Sequence, residues 1–174
     1  MDTDQAIENR VHAAARATGV PFEIFRCDPD LADTAEFCRA YGFALEDSAN
    51  CVVVKGKSEP PVFAACVLLA TTRLDVNGVV RRRLGTRKAS FAAAAEVEEL
   101  TAMAIGGVTP LALPSAVAIW VDAAVMGRER IVLGGGSRAC KVLAPPALLT
   151  AIGGEAVSAL AAPIDPSMGG SQRG

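Results

Sequence analysis

One histidine, one tryptophan and one tyrosine are all that 174 residues hold of those three types. The shortage of histidine excludes most side-chain devices for breaking an ester or amide. A Ser-His-Asp or Cys-His arrangement has only His12 to serve as base, and His12 falls in a helical stretch where it reads as ordinary surface or packing. A zinc site of clustered His and Cys ligands is excluded with it, and neither a metal nor a cofactor is indicated. The five cysteines (Cys27, Cys38, Cys51, Cys66 and Cys140) form no CxxC pair; they read as reduced thiols, mostly core filler, in a cytoplasmic protein. GxGxxG and P-loop patterns are missing. No apolar run is long enough to span a bilayer, and "MDTDQAIENR" lacks a signal-peptide apolar block, so no membrane role is expected. Basic excess is missing too. Seventeen Lys and Arg face nineteen Asp and Glu for a net charge of -2, which argues against non-specific coating of nucleic acid.

What is present is an ordinary globular composition, 51% apolar and 21% charged. At this length a chain buries roughly 70% of its extended surface, enough for a core without staples. Residues 1–162 read as one domain and 163–174 as a disordered tail. "TDQAIENRVHAAARATG" carries helical spacing and stops at Gly19. "DLADTAEFCRAYG" reads as a second helix closed by Gly42, and "AAAEVEELTAMA", rich in helix formers, as a third. "DVNGVVRRRLG" reads as a short helix and "PPALLTAIGG" as a closing one. "FEIFRC", "NCVVVKG", "VFAACVLLA", "KASFA", "AVAIWVD", "RIVLGG" and "ACKVLA" read as strands. The second and third of these form a hairpin around "KGKSEPP", and strands arrive in such pairs among irregularly placed helices. That order predicts an α+β fold with a mixed, mainly antiparallel sheet.

The unusual features are two bare, glycine-rich connections. "AIGGVTPLAL" follows a helix and places Gly106 and Gly107 before Thr109 and Pro110. "GGGSR" follows a strand and holds Gly135, Gly136 and Ser137. Two readings stand side by side. In one, the glycines are a helix cap and a hairpin turn. In the other, they free backbone N–H groups to hold a carbonyl and stabilise an oxyanion. Lys141, in "ACKVLA", is either an exposed edge charge or a cation beside substrate. Asp122 reads as a helix cap, and Glu96, Glu98 and Glu99 as a solvated helix face. "VVRRRLGTRK" supplies Arg81, Arg82 and Arg83, either a solvated helix end or a patch facing phosphate.

From Asp47 to Val157 the order of "ANCVVVKG", "RLDVNGVVRRRLG", "AAAAEVEELTAMAIGGVTPLAL", "AIWVD" and "RIVLGGGSRACKVLAP" resembles the YbaK/prolyl-tRNA-synthetase-associated editing domain family. "GGVTP" after "EVEELT" is the most specific piece. The resemblance implies a barrel-like sheet surrounded by helices. It also implies a hydrolase that removes wrongly attached amino acids from tRNA in trans, with no cofactor. The implied partners are the aminoacyl-tRNA 3′ end as substrate and an aminoacyl-tRNA synthetase. With no synthetase or anticodon-binding motif in sight, the chain is expected to be free-standing.

Carried onto this sequence, Gly106, Gly107, Thr109 and Pro110 would form the substrate loop, and Gly135, Gly136, Ser137 and Lys141 the opposite wall. The amides of Gly106 and Gly107, or those of the Gly135 loop, would grip the oxyanion. Lys55 would lie in solvent or near tRNA phosphate, with Arg81, Arg82 and Arg83 as further candidate phosphate contacts. Family members that clear cysteine carry a lysine at the start of the "NCVVVK" strand; here Asn50 stands there, as in a subgroup with asparagine. Asn50 can orient substrate or water but supplies no charge. Strand alternation separates Asn50, turned toward the pocket, from Cys51, turned away, and from Lys55 at the strand's exit. Val52, Val54, Ala64, Cys66 and Leu68 are expected to line a pocket for a small amino acid. The alternative is a catalytically inactive module of the same fold that binds tRNA or an aminoacyl group.

Overall fold

The computed structural model describes residues 3–165. Along the chain run α1 (Thr3–Ala17), β1 (Glu23–Arg26), α2 (Thr34–Tyr41), β2 (Ala49–Gly56), β3 (Val62–Leu69) and β4 (Thr72–Leu74). A π-helical turn, Val76–Val80, leads into α3 (Arg81–Leu84), β5 (Ala89–Phe91) and α4 (Ala94–Thr101). Then follow β6 (Ala118–Asp122), α5 (Ala123–Met126), β7 (Ile131–Gly134), β8 (Cys140–Ala144), α6 (Ala147–Ala151), β9 (Glu155–Val157) and β10 (Ala161–Pro163).

The α+β architecture is the expected one. The main sheet has the order β5-β2-β3-β6-β9, a second sheet β1-β8-β7, and β4 pairs with β10. Strands β6 and β9 lie parallel to their neighbours and all other named pairs are antiparallel. One bridge, Ser48 to Val132, joins the two larger sheets beside the start of β2. Among the described residues the strands do not close into a barrel. Order runs past the expected boundary at 162: Pro163 pairs with Thr72, and the Ile164 amide donates to the Thr71 carbonyl. The rest of the expected tail, 166–174, lies outside the described residues.

The unbroken apolar runs of β2 and β3 make sense because the main sheet is covered on both faces. On one face Cys51, Ala65, Val67 and Val121 meet Ile7, Val11 and Ala15 of α1, spaced four apart, together with Ile131, Leu133 and Val142 of the second sheet. On the other face Val54, Ala64, Cys66 and Leu68 pack with Val80, Trp120, Val157 and Leu160. That packing corrects most of one expectation: Val54, Ala64, Cys66 and Leu68 fill a core, and only Val52, half-buried, borders a groove, on the β2 edge. A third cluster, Phe37 and Cys38 of α2 with Val132, Leu143 and Phe25, clamps α2 onto the second sheet.

Three helix readings shorten. α4 stops at Thr101 because Ala102 turns left-handed, at φ 61°, and the closing helix keeps only Ala147–Ala151 of its expected span. In the "DVNGVV" stretch, both Asp75 carboxylate oxygens accept amides, from Gly78 and Val79, and convert the entry into a π-turn. Asp122 caps α5 as expected and also accepts from the Ala161 amide. All five cysteines are free, and burial pushes the thiol pKa of Cys66 up to about 12 and that of Cys140 to about 11. They are inert filler.

Candidate functional site

A narrow cleft of about 30 Å³ opens between the start of α2, the start of β2 and the first glycine turn. Asp33, Thr34, Ser48, Asn50, Gly106, Gly134 and Lys141 supply its polar lining, while Phe37, Cys51 and Val108 supply apolar lining.

Lys141 reaches the cleft through strand alternation. Its neighbours Cys140 and Val142 face the core under α1, so Lys141 points the other way, toward α2. It is 7% exposed. Its ammonium donates to the Ala32 carbonyl at 2.7 Å and the Gly106 carbonyl at 3.0 Å, and lies 5.4 Å from the Phe37 ring centre. No carboxylate pairs with it among the described residues. The nearby Asp33 carboxylate is held by Arg138 at 3.1 Å. Burial drives the Lys141 pKa below the usual lysine range, and Arg138 pushes the same way. An ammonium carries three donors, and two are engaged. The edge-charge reading is therefore excluded.

Asn50 borders the cleft, and its Oδ1 accepts from the Thr34 hydroxyl at 2.8 Å. Cys51 belongs to the core but borders the cleft as well, so it does not turn fully away. Lys55 is far down the strand and pairs with Glu96 of α4. That bond and a second hydrogen bond, from the Ala93 amide, hold the Glu96 carboxyl below its ordinary pKa. Glu96 is thus not merely a solvated charge.

The two glycine turns do converge, but the glycines serve contact more than exposure. The Gly107 amide donates to the Ala104 carbonyl at 2.9 Å, and the Gly136 amide to the Gly107 carbonyl at 2.8 Å. Gly107 therefore has no amide to offer an oxyanion, which corrects its expected role. A Cβ at Gly107 would lie 2.6 Å from the Ser137 backbone, and one at Gly134 would lie 2.2 Å from the Val108 carbonyl oxygen. Gly106 sits at φ 94°, at the third position of the turn closed by Gly107, where a type II turn demands glycine. Its amide makes no backbone hydrogen bond among the described residues.

Five more expected site residues face elsewhere. Thr109 is fully buried and its hydroxyl is at 3.5 Å from the Leu111 amide. Pro110 lines a separate hollow with Ala14 and Thr18 beneath α1. Gly135 packs on Cys140 and Gly136 on Ile7 and Val11. Ser137, 2% exposed, donates to Glu8 and accepts from the Ala139 amide. Glu8 is also paired with Arg26 at 2.7 Å. Burial raises the Glu8 pKa, but the hydrogen bonds from Ser137 and Arg26 outweigh it, and the net shift is downward.

Asp33, Thr34 and Arg138 escaped the sequence reading. Arg138 donates to the Pro29 and Ile105 carbonyls at 3.0 Å each as well as to Asp33. The arginine that ends "GGGSR" was its one available signal. Of the arginine patch, Arg83 is paired with Glu155 at 2.6 Å and lies 5.0 Å from the Trp120 ring centre, and Arg81 donates to the Asn77 carbonyl. Arg82 is exposed.

Residues 28–151 match the family model described as aminoacyl-tRNA editing domain. A solved structure described as a candidate trans-editing enzyme for prolyl tRNA synthetase is 24% identical, with a TM-score of 0.75 over 87% of this chain and 94% of its own. The hypothetical protein APE2540, also 24% identical, reaches a TM-score of 0.78 over 88% of this chain and 99% of its own. A candidate signal transduction protein from Marinobacter aquaeolei VT8, 14% identical with a TM-score of 0.60, covers 91% of this chain with 31% of its own length. At these identities the likeness is one of fold. No curated protein matches the chain. No helix among the described residues is long and apolar enough to cross a membrane.

Proposed function

The chain belongs to the aminoacyl-tRNA editing domain family, and from that premise we propose that it hydrolyses, in trans, the ester linking a small amino acid to the tRNA 3′ end. The observation that carries this reading is the buried Lys141 ammonium, which stands on the cleft wall without a carboxylate. Water attacks the acyl carbon, and negative charge develops on the carbonyl oxygen. Lys141's third N–H and the Gly106 amide are the donors available to that oxygen. The bond from acyl carbon to ribose oxygen then breaks, and the ribose oxygen takes the proton that water gives up, relayed by the vicinal ribose hydroxyl. Asn50, held by Thr34, positions the substrate or the water. Cation and amide thus stand in for the strand lysine that Asn50 replaces. The cleft is narrow, which favours a small side chain, though apolar contact alone discriminates by only about 1–3 kcal/mol per methylene.

Deacylation of a panel of mischarged tRNAs tests this. Turnover of esters of the smallest amino acids, slowed roughly tenfold by Asn50→Ala, is the expected result. Tight binding of every substrate with no turnover would favour the rival, an inactive binding module. The engaged Gly107 amide and the uncharged Asn50 are what keep that rival in view.

A further inference from the structure

The expected phosphate contacts at Lys55 and Arg83 are occupied by carboxylates, which leaves open where a nucleic acid would lie. A different surface combines an apolar groove with unpaired cations. Cys51 and Val108, on the cleft wall, also line an adjoining apolar groove with Val53, Ala92, Val97, Ile105 and Phe91. Ile105 is 42% exposed and Phe91 48% exposed. Phe91 closes β5, the edge strand of the main sheet.

Beyond the groove the character changes along one line. Residues 51, 53, 55 and 57 follow one face of β2 and its extension, and the Lys57 amide bonds to the Lys88 carbonyl, which continues the β2–β5 pairing. Lys57, Arg87 and Lys88 are all exposed and in no ion pair among the described residues. Between groove and lysines sits Glu96, neutralised by Lys55. The path thus runs from polar cleft to apolar bench to free cations. Cys51 to Lys57 spans about 20 Å at strand rise, a few nucleotides' reach.

Single-stranded nucleic acid is held by cationic grooves that carry aromatic side chains for its bases to stack on, and Phe91 supplies one such ring here. We infer that the unpaired 3′ strand of the tRNA leaves the cleft along this edge, its terminal base on Ile105 and Phe91 and its phosphates beside Lys57 and Lys88. The inference rests on the proposed deacylase reading, because it starts the strand at the cleft.

Fluorescence anisotropy with a labelled, uncharged RNA hairpin carrying a short unpaired 3′ end reads binding apart from turnover. Lys57→Glu combined with Lys88→Glu should weaken binding roughly tenfold or more, and should flatten the log–log salt slope by about 1.4, two single-strand contacts. Phe91→Ala should cost roughly tenfold through lost stacking. Unchanged affinity in the double variant overturns the track. So does an equal loss from Arg82→Glu on α3, or indifference to removal of the unpaired end. Because binding is the readout, a protein that holds the hairpin as described but never deacylates would sink the hydrolase alone. One that deacylates while these variants bind normally would sink the track alone.

Discussion

Glu8 and Lys141 are both buried, at 3% and 7% exposure, and both stand against the second glycine turn. Their surroundings differ. Glu8 has Arg26, the Ser137 hydroxyl and a pKa held low. Lys141 has two carbonyls, an aromatic ring, another cation nearby and a pKa held low against its charged form. For a carboxylate a lowered pKa means comfort, and for an ammonium it means the reverse. The first is architecture, joining α1 to the turn. The second is an unpaired charge kept at a cleft, an arrangement that suits a ligand bringing negative charge as it reacts.

The sharpest disturbance is to the first glycine turn, where it packs on the turn both residues share. Gly107→Val should cause outright loss of cooperative unfolding in calorimetry, since its first added carbon already collides with the Ser137 backbone. Loss of activity in that variant would say nothing about oxyanion binding.

Next comes Lys141→Met, expected to lower kcat/KM for deacylation by roughly 10²-fold while the far-UV spectrum stays native. In the unaltered protein the activity that depends on this cation should fall as pH rises through a value below the usual lysine pKa. For stability the sign is opposite: the unfolded chain holds this proton longer, so stability rises with pH between the lowered folded pKa and the ordinary one. An activity profile flat across that range would place Lys141 with Glu8 as architecture.

Glu8→Gln should leave kcat alone and cost about 1–3 kcal/mol of stability, a drop in Tm of roughly 3–10 °C. Its folded pKa is lowered, so its contribution is present above the unfolded value near 4.5 and is lost as pH falls through the folded one. Acid titration of Tm in the two proteins should converge at low pH. The smallest effect belongs to Lys55→Met. Its partner Glu96 is a surface carboxylate, so no resolvable change in Tm or in kcat at saturating substrate is expected.

Much of this architecture could be read in advance, where pattern and physics coincide. Ile7, Val11 and Ala15 announce α1, and the apolar runs of β2 and β3 announce a sheet covered on both faces. The strands β4, β9 and β10 have three residues each, too few for any period to show. The overrun of α4 has a simple cause. "TAMA" contains no breaker, and Ala102 adopts the left-handed cap that glycine usually provides.

Within the cleft, Asn50, Gly106 and Lys141 were legible, and Lys141 stands out as a lone charge in "ACKVLA". The roles of Gly107, Ser137, Thr109 and Pro110 were not. Glycine that bares an amide and glycine that lets two backbones touch leave the same letters in a sequence. Asp33 and Thr34 reach the cleft only because the aromatic cluster seats α2 against the second sheet, a long-range contact that no local pattern encodes.

Arg138 has a consequence for motion. Its flat guanidinium ties its own turn to two other segments, the stretch 29–33 through Pro29 and Asp33 and the first glycine turn through Ile105. Those two segments form facing lips of the cleft. Neither lip can drift without dragging the other, so the entropy of aligning them is spent during folding, before any guest arrives.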